Sequence, residues 1–139
     1  MWHTEISKTT KATKEQIWKI WSDVNNWHIW DEDLEYANLD GDFILYTKGS
    51  VKSKGAPKNK FVIIECEKYS CFTNRTTLPL CKIDFMHILT QTSDGLMVTH
   101  RIEMKGMLSF LFSKIIGVAI NKGVSQSVQN LIKLAENEK

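Results

Sequence analysis

The sequence contains no CxxC pair. Its three cysteines, Cys66, Cys71 and Cys81, are an odd number, which argues against a disulfide framework. Cys66 and Cys71 are close enough to face each other across a tight turn at Lys68-Tyr69, so one bridge is open. Free thiols in a reducing cytosol are the expectation, and with them a cytoplasmic location. An excess charge of one sign is lacking too: 18 basic against 16 acidic residues leave +2, too mild to argue for nucleic acid. The apolar stretch from Met107 to Ile120 is short and is interrupted by Ser109, Ser113 and Lys114, so it implies no integral membrane segment. The opening Met1-Trp2-His3-Thr4-Glu5 is polar and strand-like rather than a secretory signal. Nucleophile elbow, phosphate loop and zinc-protease motif are all missing. With no repeats or low-complexity tract, 139 residues at 42% hydrophobic content read as one domain, 1–139.

The chain is organised around its last fifth, Gly106 to Glu136, which reads as one long helix. Its second half carries a narrow apolar stripe, Ile120, Val124, Val128, Leu131 and Ala135, opposite Asn121, Lys122, Gln126, Gln129 and Lys133. Its first half has almost no polar face, so it is expected to be covered on more than one side. Ser109, Ser113 and Gly117 form a small-residue column that leaves room for a ligand or for close packing. Before it, Trp2–Thr10 reads as a strand. Thr13 with Gln16 makes a capping box for a helix burying Ile17, Trp18, Ile20 and Trp21. Asp23 starts a second short helix. Strands are expected through Phe43, Leu45 and Thr47, then at Phe61–Glu67, Cys71–Thr76, Leu80–Thr92 and Leu96–Met104, with Ser93-Asp94-Gly95 as a hairpin turn. This order is α+β: a curved antiparallel sheet wrapped around a long C-terminal helix.

Ala12-Thr13-Lys14-Glu15-Gln16-Ile17-Trp18, Ser22-Asp23-Val24-Asn25-Asn26-Trp27 and Trp30-Asp31 resemble the opening of the polyketide cyclase/dehydrase-like branch of the SRPBCC superfamily. The likeness continues through Gly41-Asp42-Phe43, Thr47-Lys48-Gly49 and Val98-Thr99-His100-Arg101-Ile102-Glu103 with Gly106. It implies the helix-grip fold of START and birch-pollen-allergen proteins, with about seven strands. It also implies a deep pocket for a hydrophobic small molecule between sheet and helix. Some members of that superfamily are cyclases or aromatases and others activate chaperones. No catalytic motif carries over.

The polar candidates come from strand alternation. Cys81, Ile83, Phe85, His87 and Leu89 share one face, and Leu96, Val98, His100, Ile102 and Met104 share another. A turn centred on Ser93-Asp94 pairs His87 directly with His100, whereas an Asp94-Gly95 turn makes them diagonal neighbours. Either register puts both imidazoles inward, where they can orient a carbonyl or hydroxyl, move a proton, or simply bond each other. Zinc is not expected, because no third ligand stands at suitable spacing. Trp27 and Trp30 line a pocket mouth or pack in the core. Lys48, Lys52, Lys54, Lys58 and Lys60 read as a solvated basic hairpin, with contact to an anionic headgroup or phosphate as the alternative, and Asp31, Glu32, Asp33 and Glu35 line a solvent face, with Asp31 placed to cap a turn.

Three functions fit. One is a binding or carrier protein for a hydrophobic, polyketide-like or lipid-like molecule, using Trp27, Trp30, Phe85, His87, Leu89, Val98, His100, Phe112 and Ile116. The second is a cyclase/dehydratase with His87 or His100 as general acid or base. The third is a protein-interaction adaptor with a filled core. None calls for a cofactor, and a monomer or homodimer suits each.

Overall fold

Thr13 opens the first helix as its spacing to Gln16 predicts. In the computed structural model, which describes residues 1–137, the Gln16 amide donates to the Thr13 hydroxyl at 3.1 Å and the Thr13 amide donates to the Gln16 side chain at 2.8 Å. Helix α1 (Lys14–Ser22) buries Ile17, Trp18, Ile20 and Trp21, and a 3-10 helix (Val24–Ile29) follows it. The strands are β1 (Trp2–Thr10), β2 (Leu34–Leu39), β3 (Lys48–Ser53), β4 (Asn59–Glu67), β5 (Cys71–Leu78), β6 (Cys81–Thr92) and β7 (Gly95–Lys105). They form one antiparallel sheet in the order β1-β7-β6-β5-β4-β3-β2, curled around α2 (Ser109–Asn137). Register shifts at Leu34/Tyr36 and Ile63/Glu65 bend β2 and β4, as bulges do.

The second half of α2 sits as its stripe predicts. Val124, Val128, Leu131 and Ala135 are buried, and full burial of a side chain such as Leu131 stabilises by about 1.5–3 kcal/mol. Polar groups tie the helix along β1. Thr4 donates to Asn121, Lys8 reaches the Ser125 carbonyl at 3.5 Å, and Thr10 donates to Glu136 at 2.6 Å.

The first half of α2 departs from expectation. It is covered on one side only, leaving Phe110, Leu111, Ile115 and Val118 exposed. Inward, Phe112, Ile116 and Ile120 are half-buried against Ile83, Ile102 and Met104. The gap expected at the small-residue column is occupied at Gly117, where a Cβ would lie 3.1 Å from Cζ2 of Trp2.

Two further expectations change. Phe43–Thr47 is a turn rather than a strand, with Tyr46 at φ 71. Phe43 alone tucks inward, against Trp18 and Phe72, while Ile44, Leu45 and Tyr46 are exposed. The strand lies instead at Leu34–Leu39, on the sheet edge, where Ala37 is the one fully buried residue and no strong alternation arises. Cys66 and Cys71 are not opposite each other, because Cys66 pairs with Phe72 and Cys71 with Glu67, and all three cysteines are free.

Close approach makes Gly49 sensitive. A Cβ there would meet Phe61 Cζ at 2.4 Å and the Asn38 carbonyl oxygen at 2.6 Å, and the oxygen belongs to backbone that cannot step aside. Gly49→Ala is expected to destabilise by about 1–3 kcal/mol in urea unfolding, and an unchanged midpoint would show that β2 is not held as described.

Candidate functional site

The β6–β7 hairpin takes the first of the two registers: His87 stands directly opposite His100. Both face inward and both are buried. Their rings meet edge to face with centroids 4.6 Å apart at 73°. Phe72 on β5, cross-strand from His87, stacks on its imidazole at 3.9 Å and 4°. From the helix side the Trp21 indole touches both, at 5.5 Å from His87 and 5.7 Å from His100, and Trp30 reaches His100 at 6.0 Å.

Electrostatics follow from this enclosure. Burial lowers the His100 pKa to about 3. Burial, then the neighbouring His100, holds His87 well below the ordinary imidazole value, with backbone acceptors only partly opposing. Both rings are therefore neutral at pH 7. The Nδ1 of His87 lies 3.3 Å from the Phe72 carbonyl oxygen, so Nδ1–H donates and Nε2 keeps the lone pair. His100 Nε2, Trp21 Nε1 and Trp30 Nε1 are buried without a hydrogen-bond partner, although their rings touch. Each such atom costs about 1–3 kcal/mol. Trp27 differs: its Nε1 donates to the Trp21 carbonyl at 2.9 Å.

The candidate residues fall into two packed clusters. Trp27, Trp30, Leu89 and Val98 join the larger, aromatic one, in which Trp27 stacks on Phe61 at 5.9 Å. Phe85, Phe112 and Ile116 belong to the smaller one beneath the first half of α2. His87 and His100 sit at the seam. On β6 the inward order is Phe85, His87, Leu89, and on β7 it is Ile102, His100, Val98, with the smaller cluster on one side and the larger on the other. Of the two positions open to Trp27 and Trp30, mouth or core, both take the core, Trp30 also edging a hollow of about 150 Å³ lined by Ile20, Asp23 and Leu134. A second hollow of about 350 Å³ lies between Trp18, Phe43 and Cys66. Neither is bordered by His87 or His100.

Sequence reasoning missed Phe72 and assigned Trp21 to the core alone. The β4–β5 and β5–β6 turns, both recognised, carry the signal for Phe72, since counting register across them places it opposite His87. Asp31 caps a turn, as its position suggests, but it is half-buried beside Asp33 and Glu32 rather than on an open solvent face. Burial raises its carboxyl to about 6, although it accepts from the Asp33 amide at 3.2 Å.

No protein-family model matches this sequence, and neither does any curated protein. Solved structures do match. The di-domain aromatase/cyclase StfQ of the steffimycin pathway aligns with TM-score 0.80 at 10% identity, over 96% of this chain and 50% of that one. The chain therefore spans half the length of that protein. The Zhui aromatase/cyclase of Streptomyces sp. R1128 aligns at 0.73 and 12% identity, covering 97% and 93%. A norcoclaurine synthase point mutant of Thalictrum flavum aligns at 0.73 and 13%, covering 96% and 93%.

The chain has the helix-grip fold.

Among the described residues no helix of this helix-grip chain is long and apolar enough to cross a membrane, and no cluster of His, Cys, Asp or Glu is arranged to hold a metal. What the seam offers chemically is two neutral imidazoles and two indole N–H groups in an apolar enclosure. They can donate to or accept from a neutral oxygen.

Neutral burial has a pH signature. Both histidines have folded pKa values below the unfolded 6.5, so their contribution is complete above that pH. It falls on acidification below 6.5, for His100 towards about 3, by about 1.4 kcal/mol per pH unit for each ring that stays neutral in the folded state. Asp31 acts oppositely. Its raised pKa makes its contribution present at acid pH and lost as pH rises through about 6, offsetting one histidine between those limits. Unfolding free energy is expected to drop by about 2 kcal/mol from pH 7 to pH 5, and His100→Phe to remove most of that drop. An unchanged drop in the variant would place its source elsewhere.

Proposed function

We propose that this chain binds a hydrophobic small molecule bearing a hydroxyl or carbonyl, between the first half of α2 and the sheet, as a binding or carrier protein. The observation that carries the reading is the set of unpartnered buried polar atoms, His100 Nε2 with Trp21 and Trp30 Nε1, the two indoles each touching the His100 ring in an apolar interior. An indole N–H donates to a ligand oxygen, and an imidazole nitrogen either accepts from a hydroxyl or donates to a carbonyl. Phe85, Phe112 and Ile116 supply the apolar wall beneath the helix, with Leu89, Val98 and Trp27 behind the histidines. Entry follows if the first half of α2 swings outward, because that half packs on one face only. The named activities of the aromatase/cyclases and the norcoclaurine synthase, which share the fold, support a small-molecule site. Binding is favoured over acid–base turnover by the low proton affinity: an imidazole with pKa about 3 is a weak general base at pH 7.

Two measurements test this. 1-Naphthol, an apolar bicycle with one hydroxyl, is expected to bind His100→Phe about tenfold more weakly than the unsubstituted protein, the value of one hydrogen bond. Naphthalene is expected to bind both alike, and the variant to unfold at the same urea concentration or higher because an unsatisfied nitrogen is gone. Equal naphthol affinity would remove His100 from the site. Separately, amides of residues 107–120 are expected to exchange with deuterium faster than those of 124–134, as a movable wall requires. Equal protection would leave no route in.

A further inference from the structure

We propose that the end of the molecule formed by the β5–β6 turn and the start of α2 docks onto an anionic lipid bilayer. Met107, Leu111, Ile115 and Val118 make one stripe along α2, exposed by 78%, 42%, 65% and 64%, and Phe110 beside them is 62% exposed. Leu80, at the tip of the β5–β6 turn, adds a further exposed apolar side chain from a different element. The Leu108 amide donates to the Leu80 carbonyl at 3.0 Å, which fastens the turn to the helix start so that the two apolar elements adjoin.

Leu80 carries a second observation. Its φ is +53, in the left-handed region that glycine or asparagine normally fills. The chain therefore keeps a bulky apolar side chain in water at a position where it also strains the backbone. Neither folding nor solubility explains that choice, and insertion into the boundary between headgroups and acyl chains does.

Charge selects the partner. Lys82 is exposed on β6 opposite Lys105 on β7, and Lys105 already ion-pairs with Asp84 and Glu103, so Lys82 is the cation these strands leave for an anionic surface. Lys114 is exposed among the apolar stripe, and residues 105–135 contain four lysines and no acid. The nearby acids are engaged: Asp84 is held by Arg75 at 2.7 and 2.9 Å, Glu103 by Arg101 at 2.6 Å, and Lys105 reaches both at 3.6 and 3.3 Å. A second copy packed face to face on the stripe would set lysine against lysine. Phosphates in a headgroup layer meet the same lysines with opposite charge.

The test is flotation of the full chain with vesicles of phosphatidylcholine alone and of phosphatidylcholine mixed with phosphatidylglycerol. The protein is expected to float with the mixed vesicles, to be released by added salt, and to stay behind with the neutral ones. Leu80→Gly is expected to lower partitioning about tenfold while leaving Tm the same or higher, because it relieves the left-handed backbone as it removes the apolar anchor. Lys114→Glu is expected to lower it about tenfold at low salt with an unchanged fold. Absence of flotation, equal flotation with both vesicles, or full flotation of both variants would overturn the proposal. So would a dimer in solution that Leu111→Ser abolishes, which would assign the face to a second copy.

Discussion

The Trp21 indole is where the two helical segments and the sheet become one structure. It is completely buried and lies against Trp18 of its own helix, Phe72 of β5, His87 of β6 and His100 of β7. One side chain thus bridges three adjacent strands, and its backbone carbonyl accepts the Trp27 indole, which fixes the 3-10 helix beside α1. Aromatic contacts of this kind each contribute about 0.5–1.5 kcal/mol beyond their area. The larger part of the effect is geometric, because a rigid ring in contact with three strands leaves little freedom in the curl of the sheet. The capping box at Thr13 acts on the same point, since it sets where α1 begins and hence which turn presents Trp21 inward.

Dryness around Trp21 decides the chemistry of the histidine pair. Burial keeps two imidazoles with centroids 4.6 Å apart neutral well into the acid range, and stacked Phe72 with edge-on Trp21 exclude water on the aromatic side. The other side is closed by half-buried Phe85, Phe112 and Ile116, held by the less well covered part of α2. The pair therefore stands between a rigid wall and a weakly held one. Polar atoms at such a seam are costly to leave unpaired, and they discriminate strongly once paired, because an apolar competitor leaves the same cost in place.

What was legible in the sequence depended on period. β6 and β7 alternate cleanly because one face of each is buried and a hairpin turn sits between them, so the inward placement of His87 and His100 could be read in advance, whereas the turn left two registers open for their pairing. The stripe Val124–Val128–Leu131–Ala135 was legible for the same reason. β2 was not: an edge strand with one fully buried residue and Glu35 in its run carries no period-two signal. The turn at Phe43–Thr47 imitated a strand, because Phe43-Ile44-Leu45-Tyr46-Thr47 is a run of aromatic, aliphatic and β-branched residues of the kind strands favour. The division of the candidate residues into two clusters also escaped, because it is set by how α2 crosses the sheet, and that angle leaves no mark on either element alone. Phe72 was within reach through register, yet a phenylalanine draws no notice until its imidazole neighbour is known.

The first half of α2 was misjudged for a more instructive reason. Exposed apolar area normally finds a partner within its own fold, which is why so apolar a segment predicts cover on more than one side. Here Gly117 lets Trp2 come close enough to seat the helix on one face, and nothing among the described residues covers the other. The same helix therefore holds two opposed demands along its length. From Val124 onward, hydrophobic burial and hydrogen bonds from β1 agree, and the helix is fixed. Before Ile120 apolar side chains lie on both faces, so burial of Phe112 and Ile116 holds the helix to the sheet while an equally apolar outer face stays in water. A surface that accepted those side chains would reverse that balance and, by drawing the half-helix outward, would loosen the wall beneath which Phe112 and Ile116 close over the histidines.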